Sequence, residues 1–376
     1  MSNFDLFQNM LSKADIKLNG DRPWDIQIYD EAVFDRVLQH GSLGFGEAYM
    51  DGMWDCKQLD VMLDKIIRAH IDQQVSTITK LKLGAAKVKQ FFNPQSILRA
   101  KKDVSYHYDT GNDLFEAMLD KNMAYTCAYW HDAENLDEAQ DMKLDLICRK
   151  LNLQPGQRVL DIGCGWGSFM RYAAQNYGVI CDGLTLSAEQ TKLGEERCKG
   201  LPVNFILQDY REYQPEQPYD HVVSVGMLEH VGPDNYATYF QCAKRFLADD
   251  GIFLLHTIGG NVSNTVNECD PWIRKYIFPN GVIPSLAQLG KATEQLFNIE
   301  DLHNFGPDYD KTLMSWAQRF DQSWPELASK YGDKFYRMWR YYLLSCASAF
   351  RARDLNLWQL ALTKVGHDHP DCVRTC

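Results

Sequence analysis

Between residues 150 and 260, short apolar runs alternate with stretches of helical spacing. The runs are Val159–Asp161, Val179–Leu184, Val203–Leu207, Tyr219–Val225 and Ile252–His256. Runs of this length bounded by Gly, Pro and Asp read as buried strands. Strand–helix alternation predicts an α/β fold with a doubly wound, mainly parallel sheet. Ligands of such sheets bind at the carboxyl ends of the strands. The first run leads into Asp161-Ile162-Gly163-Cys164-Gly165-Trp166-Gly167. Its glycines permit a tight turn and a close backbone approach to a ligand, and the helix that follows offers free N–H groups.

Upstream the periodicity is helical. Phe34, Val37 and Leu38 keep helical spacing, Gly41, Gly44 and Gly46 break it, and Leu59, Met62, Leu63, Ile66 and Ile67 resume it. Residues 1–72 are therefore expected to form a small helical N-terminal domain without chemistry of its own, suited to packing or dimerisation. A basic linker, 73–105, and a catalytic domain, 106–376, follow. Within the linker, Ile78, Leu81, Ala85, Val88 and Phe92 share one helical stripe flanked by Lys80, Lys82, Lys87 and Lys89. That pattern suits a helix lying in a membrane interface or, equally, a helix packed on the next domain.

Charge sharpens this picture. The net charge of −11 argues against general nucleic-acid binding, yet residues 73–102 hold seven Lys or Arg and no Asp or Glu. No window is long and apolar enough for a membrane span, and Met1–Asp5 lacks the basic start of a signal peptide. Eleven cysteines without CxxC spacing point to reduced thiols in a cytosolic compartment. His367-Asp368-His369 and Cys372…Cys376 read as a tail, and no metal site is expected.

The form D-x-G-x-G-x-G resembles motif I of class I S-adenosylmethionine (AdoMet) methyltransferases. It departs from the dinucleotide fingerprint, since Ser168 stands where the last glycine would be. Further polar residues fall at successive strand ends: Thr185 to Gln190, Gln208-Asp209-Tyr210-Arg211, and Gly226 to Gly232. Longer segments are more specific. Gly41–Glu47, His107–Phe115, Tyr125–Trp130, Glu229–Gly232, His256–Gly259, Phe278–Gly281, Asn304–Tyr309 and Phe350–Asp354 closely resemble the cyclopropane-fatty-acyl-phospholipid synthase family of those methyltransferases.

That resemblance implies addition of the AdoMet methyl carbon across a cis double bond of a membrane phospholipid's acyl chain, at the cytoplasmic face of the membrane, by a homodimer. It implies AdoMet contacts at Tyr125, Thr126 (whose hydroxyl meets the cofactor carboxylate), Gly163, Gly165, Thr185, Gln190, Asp209 and Tyr210. It also implies a bound bicarbonate as base, cradled by Cys127, Glu229, His256, the backbone of Ile258, and Tyr309. The chemistry is coherent. An alkene needs no activating base, but it needs an electrophile held in line in a dry site. The acyl cation is open to stabilisation by aromatic faces such as Tyr125, Tyr129, Trp130, Tyr309 and Trp316. Rival readings are a related enzyme that rearranges or reduces the cation, a small-molecule N- or O-methyltransferase, and a non-catalytic AdoMet- or lipid-binding module.

Overall fold

The computed structural model describes residues 2–71 and 111–370. The basic stretch 73–102, His107–Thr110, Cys372 and Cys376 lie outside the described residues. The described chain divides into two compact units. One takes residues 2–71 with Cys269–Pro279 and Tyr309–Leu355; the other takes 111–268, 280–308 and 356–370.

The second unit is built on a seven-stranded sheet. Its strands are β1 (Arg158–Ile162), β2 (Ile180–Thr185), β3 (Val203–Leu207), β4 (Tyr219–Val225), β5 (Leu247–Gly260), β6 (Phe297–Asn304) and β7 (Leu355–Lys364). Their order is β3-β2-β1-β4-β5-β7-β6. The first five pair in parallel and β6 pairs antiparallel with β7. The chain runs outward from β1 to β3 and returns to β4 on the other side of β1. The crevice between β1 and β4 is thus the switch point where such sheets bind ligands.

Period-two alternation splits the core. Leu160 and Ile162 join one apolar cluster, with Val222, Phe253 and Leu255. Val159 joins the other, with Val223, Ile252 and Leu254. Asp161 shares the Val159 face, where helix Leu136–Lys150 packs through Leu144, Ile147 and Cys148. Asn135 caps that helix by accepting from the Glu138 N–H.

β3 and β4 have the expected bounds. β5 is longer than Ile252–His256, because the ladder slips from Tyr219↔Leu247 to His221↔Ile252 and admits the polar Asp249-Asp250 as a bulge. β6 and β7 were not anticipated. β6 carries polar residues at both parities, while β7 is buried along nearly its whole length and so lacks alternation.

The first unit corrects the expected boundary of the helical module. Helices Asn3–Ser12, Ala32–Met50 and Leu59–Arg68 are joined by Pro271–Tyr276 and Asp333–Arg351, and by most of Pro307–Tyr331. About 70 residues bury little surface alone, and the later helices supply the rest of the core. Arg351 binds Asp310 and Asp60 at 2.9 and 2.7 Å and so ties helix 333–351 to its neighbours. The glycine run kinks a helix instead of ending it. Only Gly41 leaves helical geometry (φ 59°), and Gly46 stays helical, its lack of a side chain explained by the Trp272 ring, which would lie 2.5 Å from a Cβ there.

Candidate active site

The loop after β1 shows why its residues must be glycine. Gly163, Gly165 and Gly167 have φ of 88°, 54° and 78°, a region other residues rarely adopt. A Cβ on Gly163 would lie 2.5 Å from Met227 Cγ, so the loops after β1 and β4 are in contact. A Cβ on Gly165 would face open space, with Gln190 Nε2 at 4.0 Å. Gly163 and Cys164 donate their N–H groups to Leu184 O, which fixes the loop on the end of β2.

At the end of β2 the Thr185 hydroxyl donates to Gln190 Oε1 at 3.2 Å and accepts from the Ser187 N–H. Ser187 caps helix Ala188–Arg197. After β3, Asp209 is buried and grips Arg211 through both oxygens, at 2.8 and 2.6 Å. Tyr210 packs edge-on against Tyr239 within the core. Tyr125 sits edge-on to Phe115. The Thr126 methyl lies 2.5 Å from where a Gly226 Cβ would stand, and its hydroxyl accepts from Lys143 Nζ at 2.9 Å.

A second group gathers around β5. The Ile258 N–H donates to Glu229 Oε1 at 2.7 Å, while Glu229 Oε2 is buried without a partner. Burial raises the Glu229 pKa. His256 lies two residues before Ile258, on the same face of β5, and is 1 % exposed. Its Nδ1 stands 3.3 Å from Gln359 Nε2 on β7, and its Nε2 is buried without a partner. Burial, then the nearby charges of Lys143 and Lys150, hold the His256 pKa well below the usual range. The ring is therefore neutral. With Nδ1 accepting from the Gln359 amide, its single proton sits on Nε2 as a donor. Cys127 is fully buried and its thiol meets Ala128 O. Glycine at 259 follows from Trp358, whose ring would lie 2.4 Å from a Cβ there.

Tyr309 belongs to the first unit, where it packs on Phe350 and Trp316 at centroid distances of 4.5 and 6.0 Å. The other expected site residues belong to the second unit. The Ile258 N–H is already taken by Glu229, and its carbonyl accepts from the Thr257 hydroxyl.

Sequence reasoning missed Gln140, Lys143 and Gln359. Gln140 donates to Ala124 O and Thr126 O, bracing the segment that carries Thr126. Lys143 is 1 % exposed, and burial lowers its pKa to about 8; Asp120, Cys127 and Asp161 act in the opposite direction. Burial pushes Asp161 up to about 7, and Lys143 opposes that shift. A signal was present, since Gln140 and Lys143 interrupt the buried stripe Leu136, Ala139, Leu144, Ile147. A polar residue on a buried helix face needs a partner.

The family model for mycolic acid cyclopropane synthetase matches residues 95–360. The chain belongs to that family. The cyclopropane synthetase family assignment extends to near full length through the cyclopropane-fatty-acyl-phospholipid synthase of Escherichia coli (strain K12), 52% identical over 94% of this chain and 92% of that one. A probable fatty acid methyltransferase of Pseudomonas putida is 40% identical over 69% of this chain and 68% of its own. Among solved structures, the cyclopropane synthase MmaA2 of Mycobacterium tuberculosis aligns with a TM-score of 0.65 at 32% identity, covering 70% of this chain and 98% of that one. Coclaurine N-methyltransferase, at 21% identity over 87% of this chain and all of its own, with a TM-score of 0.66, shares the fold alone. As a member of the cyclopropane synthetase family, the chain is a class I AdoMet-dependent methyltransferase, with the sheet order and glycine loop described above.

Proposed function

We propose that this enzyme adds the methyl carbon of AdoMet to the cis double bond of unsaturated phospholipid acyl chains, closing a cyclopropane ring. The observation that carries this reading is the pair of unused buried polar atoms, Glu229 Oε2 and His256 Nε2, in a chain 52% identical to a cyclopropane-fatty-acyl-phospholipid synthase. An acceptor and a neutral donor suit a small hydrogen-carrying anion.

The residues fit both small molecules. The space at Gly165 admits a ligand that any side chain would exclude. AdoMet, when bound, supplies an electrophilic methyl group. Tyr125, Thr126, Gly163, Gly165, Thr185, Gln190, Asp209 and Tyr210 hold its ends. Bicarbonate, when bound, supplies the base for ring closure. Glu229 Oε2 would accept from its hydroxyl and His256 Nε2 would donate to its oxygen, with the buried Cys127 thiol as a further candidate contact. A neutral His256 donates without the full cation that would weaken a base. The buried surroundings keep water from intercepting the acyl cation.

The test is lipid mass spectrometry of cells expressing the chain. The expected result is a gain of one CH2 per acyl chain with loss of the olefin. A methyl-branched or methylene product would favour the related enzymes that divert the cation. Unchanged lipids together with methylation of an amine or hydroxyl would overturn the reading. Removal of dissolved CO2 should slow turnover and added bicarbonate restore it; full activity without it removes the bicarbonate part alone. We further propose a homodimer acting at the inner membrane surface, with residues 73–102 as the lipid contact. Light scattering, and vesicle co-sedimentation of the K80Q/K82Q/K87Q/K89Q variant, test these. A monomer, or undiminished vesicle binding by the variant, would refute the respective part.

A further inference from the structure

Lys143 has no role in the reaction as stated, yet its placement is costly. Its side chain leaves helix Leu136–Lys150 on the buried face and ends among Thr126, Asp120, Cys127 and Asp161. A buried ammonium normally meets a carboxylate. Among the described residues its one hydrogen bond goes to a neutral group, Thr126 Oγ1 at 2.9 Å, and it forms no ion pair. Asp120 spends its oxygens on the N–H groups of Asn122 and Ala124, each at 2.8 Å. Asp161 Oδ1 is buried without a partner. The cation is thus desolvated and its charge is not neutralised by contact.

Thr126 carries the argument to the cofactor. Its oxygen accepts from Lys143, so its own O–H is left to donate, and a hydroxyl polarised by an ammonium is the stronger donor. Its methyl occupies the space where a side chain on residue 226 would stand. Thr126 itself is partly exposed. The chain therefore runs from a buried positive charge through an oriented hydroxyl to the ligand crevice.

We propose that Lys143 is the counter-charge for the carboxylate of bound AdoMet, delivered through the Thr126 hydroxyl. This rests on the reading that Thr126 meets the cofactor's amino-acid end. Lys143 is a positioning residue, since it reaches the ligand only through Thr126.

Calorimetric titration tests it with two ligands: S-adenosylhomocysteine, and 5′-methylthioadenosine, which lacks the amino-acid end. In Lys143→Met, affinity for S-adenosylhomocysteine should fall about thirtyfold, the scale of one charge-assisted hydrogen bond. Affinity for methylthioadenosine should stay within about threefold, since that ligand makes no carboxylate contact. Thr126→Val should reproduce the same selective loss, and the double variant should be no worse than the weaker single one. Wild-type affinity in Lys143→Met, or equal loss of both ligands in a folded variant, overturns the proposal. Should Lys143→Met not fold, Thr126→Val decides: undiminished S-adenosylhomocysteine binding overturns it. Failure of the wild-type protein to bind S-adenosylhomocysteine would instead sink the cofactor reading itself.

Discussion

An added side chain at Gly165 would meet open space, with Gln190 Nε2 at 4.0 Å, whereas Glu229 and His256 each end in a buried polar atom that meets nothing. On the proposed reading, the glycine loop binds by leaving room. Its turn is held by Gly163 and Cys164 donating to Leu184 O and by Gly167 donating to Cys164 O. On the same reading, the β5 cluster binds by leaving bonds unmade. An unpaired buried donor or acceptor costs about 1–3 kcal/mol. The proposed anion would satisfy one of each. One region is fixed by backbone geometry, the other by stored polar demand, so they should fail differently when altered.

The largest difference is expected within the loop. Gly165→Val should abolish S-adenosylhomocysteine binding, because its branches enter the ligand's space. The fold should survive, at a cost of about 1–2 kcal/mol for the left-handed backbone. Gly163→Val should lose binding and considerably more stability, since its Cβ collides with Met227 at 2.5 Å. Thermal melts beside titrations separate the two. Equal melting temperatures would mean that the loop moves to accept a side chain.

The cluster should behave in the opposite sense. Glu229→Gln keeps an oxygen for the Ile258 N–H but cannot accept at its second position. Turnover should fall on the order of a hundredfold, the scale of a positioned acid–base element. Stability should hold or rise, because burial raises the Glu229 pKa and an ionised carboxylate there is costly at neutral pH. A destabilised but active variant would make Glu229 a structural residue.

This contrast also explains what could be read from the chain. The glycine loop is local: seven consecutive residues encode its turn and its space, and the strand before it announces itself by apolar character. The cradle is assembled by register. His256 and Ile258 share a face of β5, but the donor facing His256 is Gln359 on β7, a strand the sequence pattern did not reveal. Without β7, the His256 tautomer has no reason. Lys143 was hidden for a related cause, since a lysine on an amphipathic helix reads as solvated until the helix is known to bury that face. The domain boundary failed because residues 269–279 and 309–355 pack with a module more than 200 positions earlier.

The state of His256 gives a smaller effect with a definite sign. Its folded pKa lies well below the ordinary 6.5. The unfolded chain takes up a proton near pH 6.5 and the native state does not, so this group favours unfolding increasingly as pH falls. It should remove about 1 kcal/mol of stability between pH about 6.5 and 5.5. His256→Gln should flatten the curve by that amount in that window. His221, lowered to about 4 by burial, should keep its own share of the slope. An unchanged slope in denaturant melts across this range would mean that native His256 already takes up the proton.

The smallest expected effect falls on Gln359, which joins the cluster only through another residue. Its amide donates to His256 Nδ1, and that bond places the ring proton on Nε2. Gln359→Leu removes the donor at similar volume. It also removes Oε1, itself buried without a partner, so stability should change little. The ring could then carry its proton on either nitrogen, and part of the population would present a lone pair where a donor is needed. Neutral tautomers differ by little, so turnover should fall about fivefold, matching roughly 1 kcal/mol for one neutral hydrogen bond. KM for AdoMet should stay at the wild-type value, because Gln359 is remote from the glycine loop along the sheet: β1, β4 and β5 precede β7 in the strand order. A rise in KM with turnover preserved would instead tie Gln359 to ligand binding. It would also erase the distinction between a region that makes room and a region that holds a proton in place.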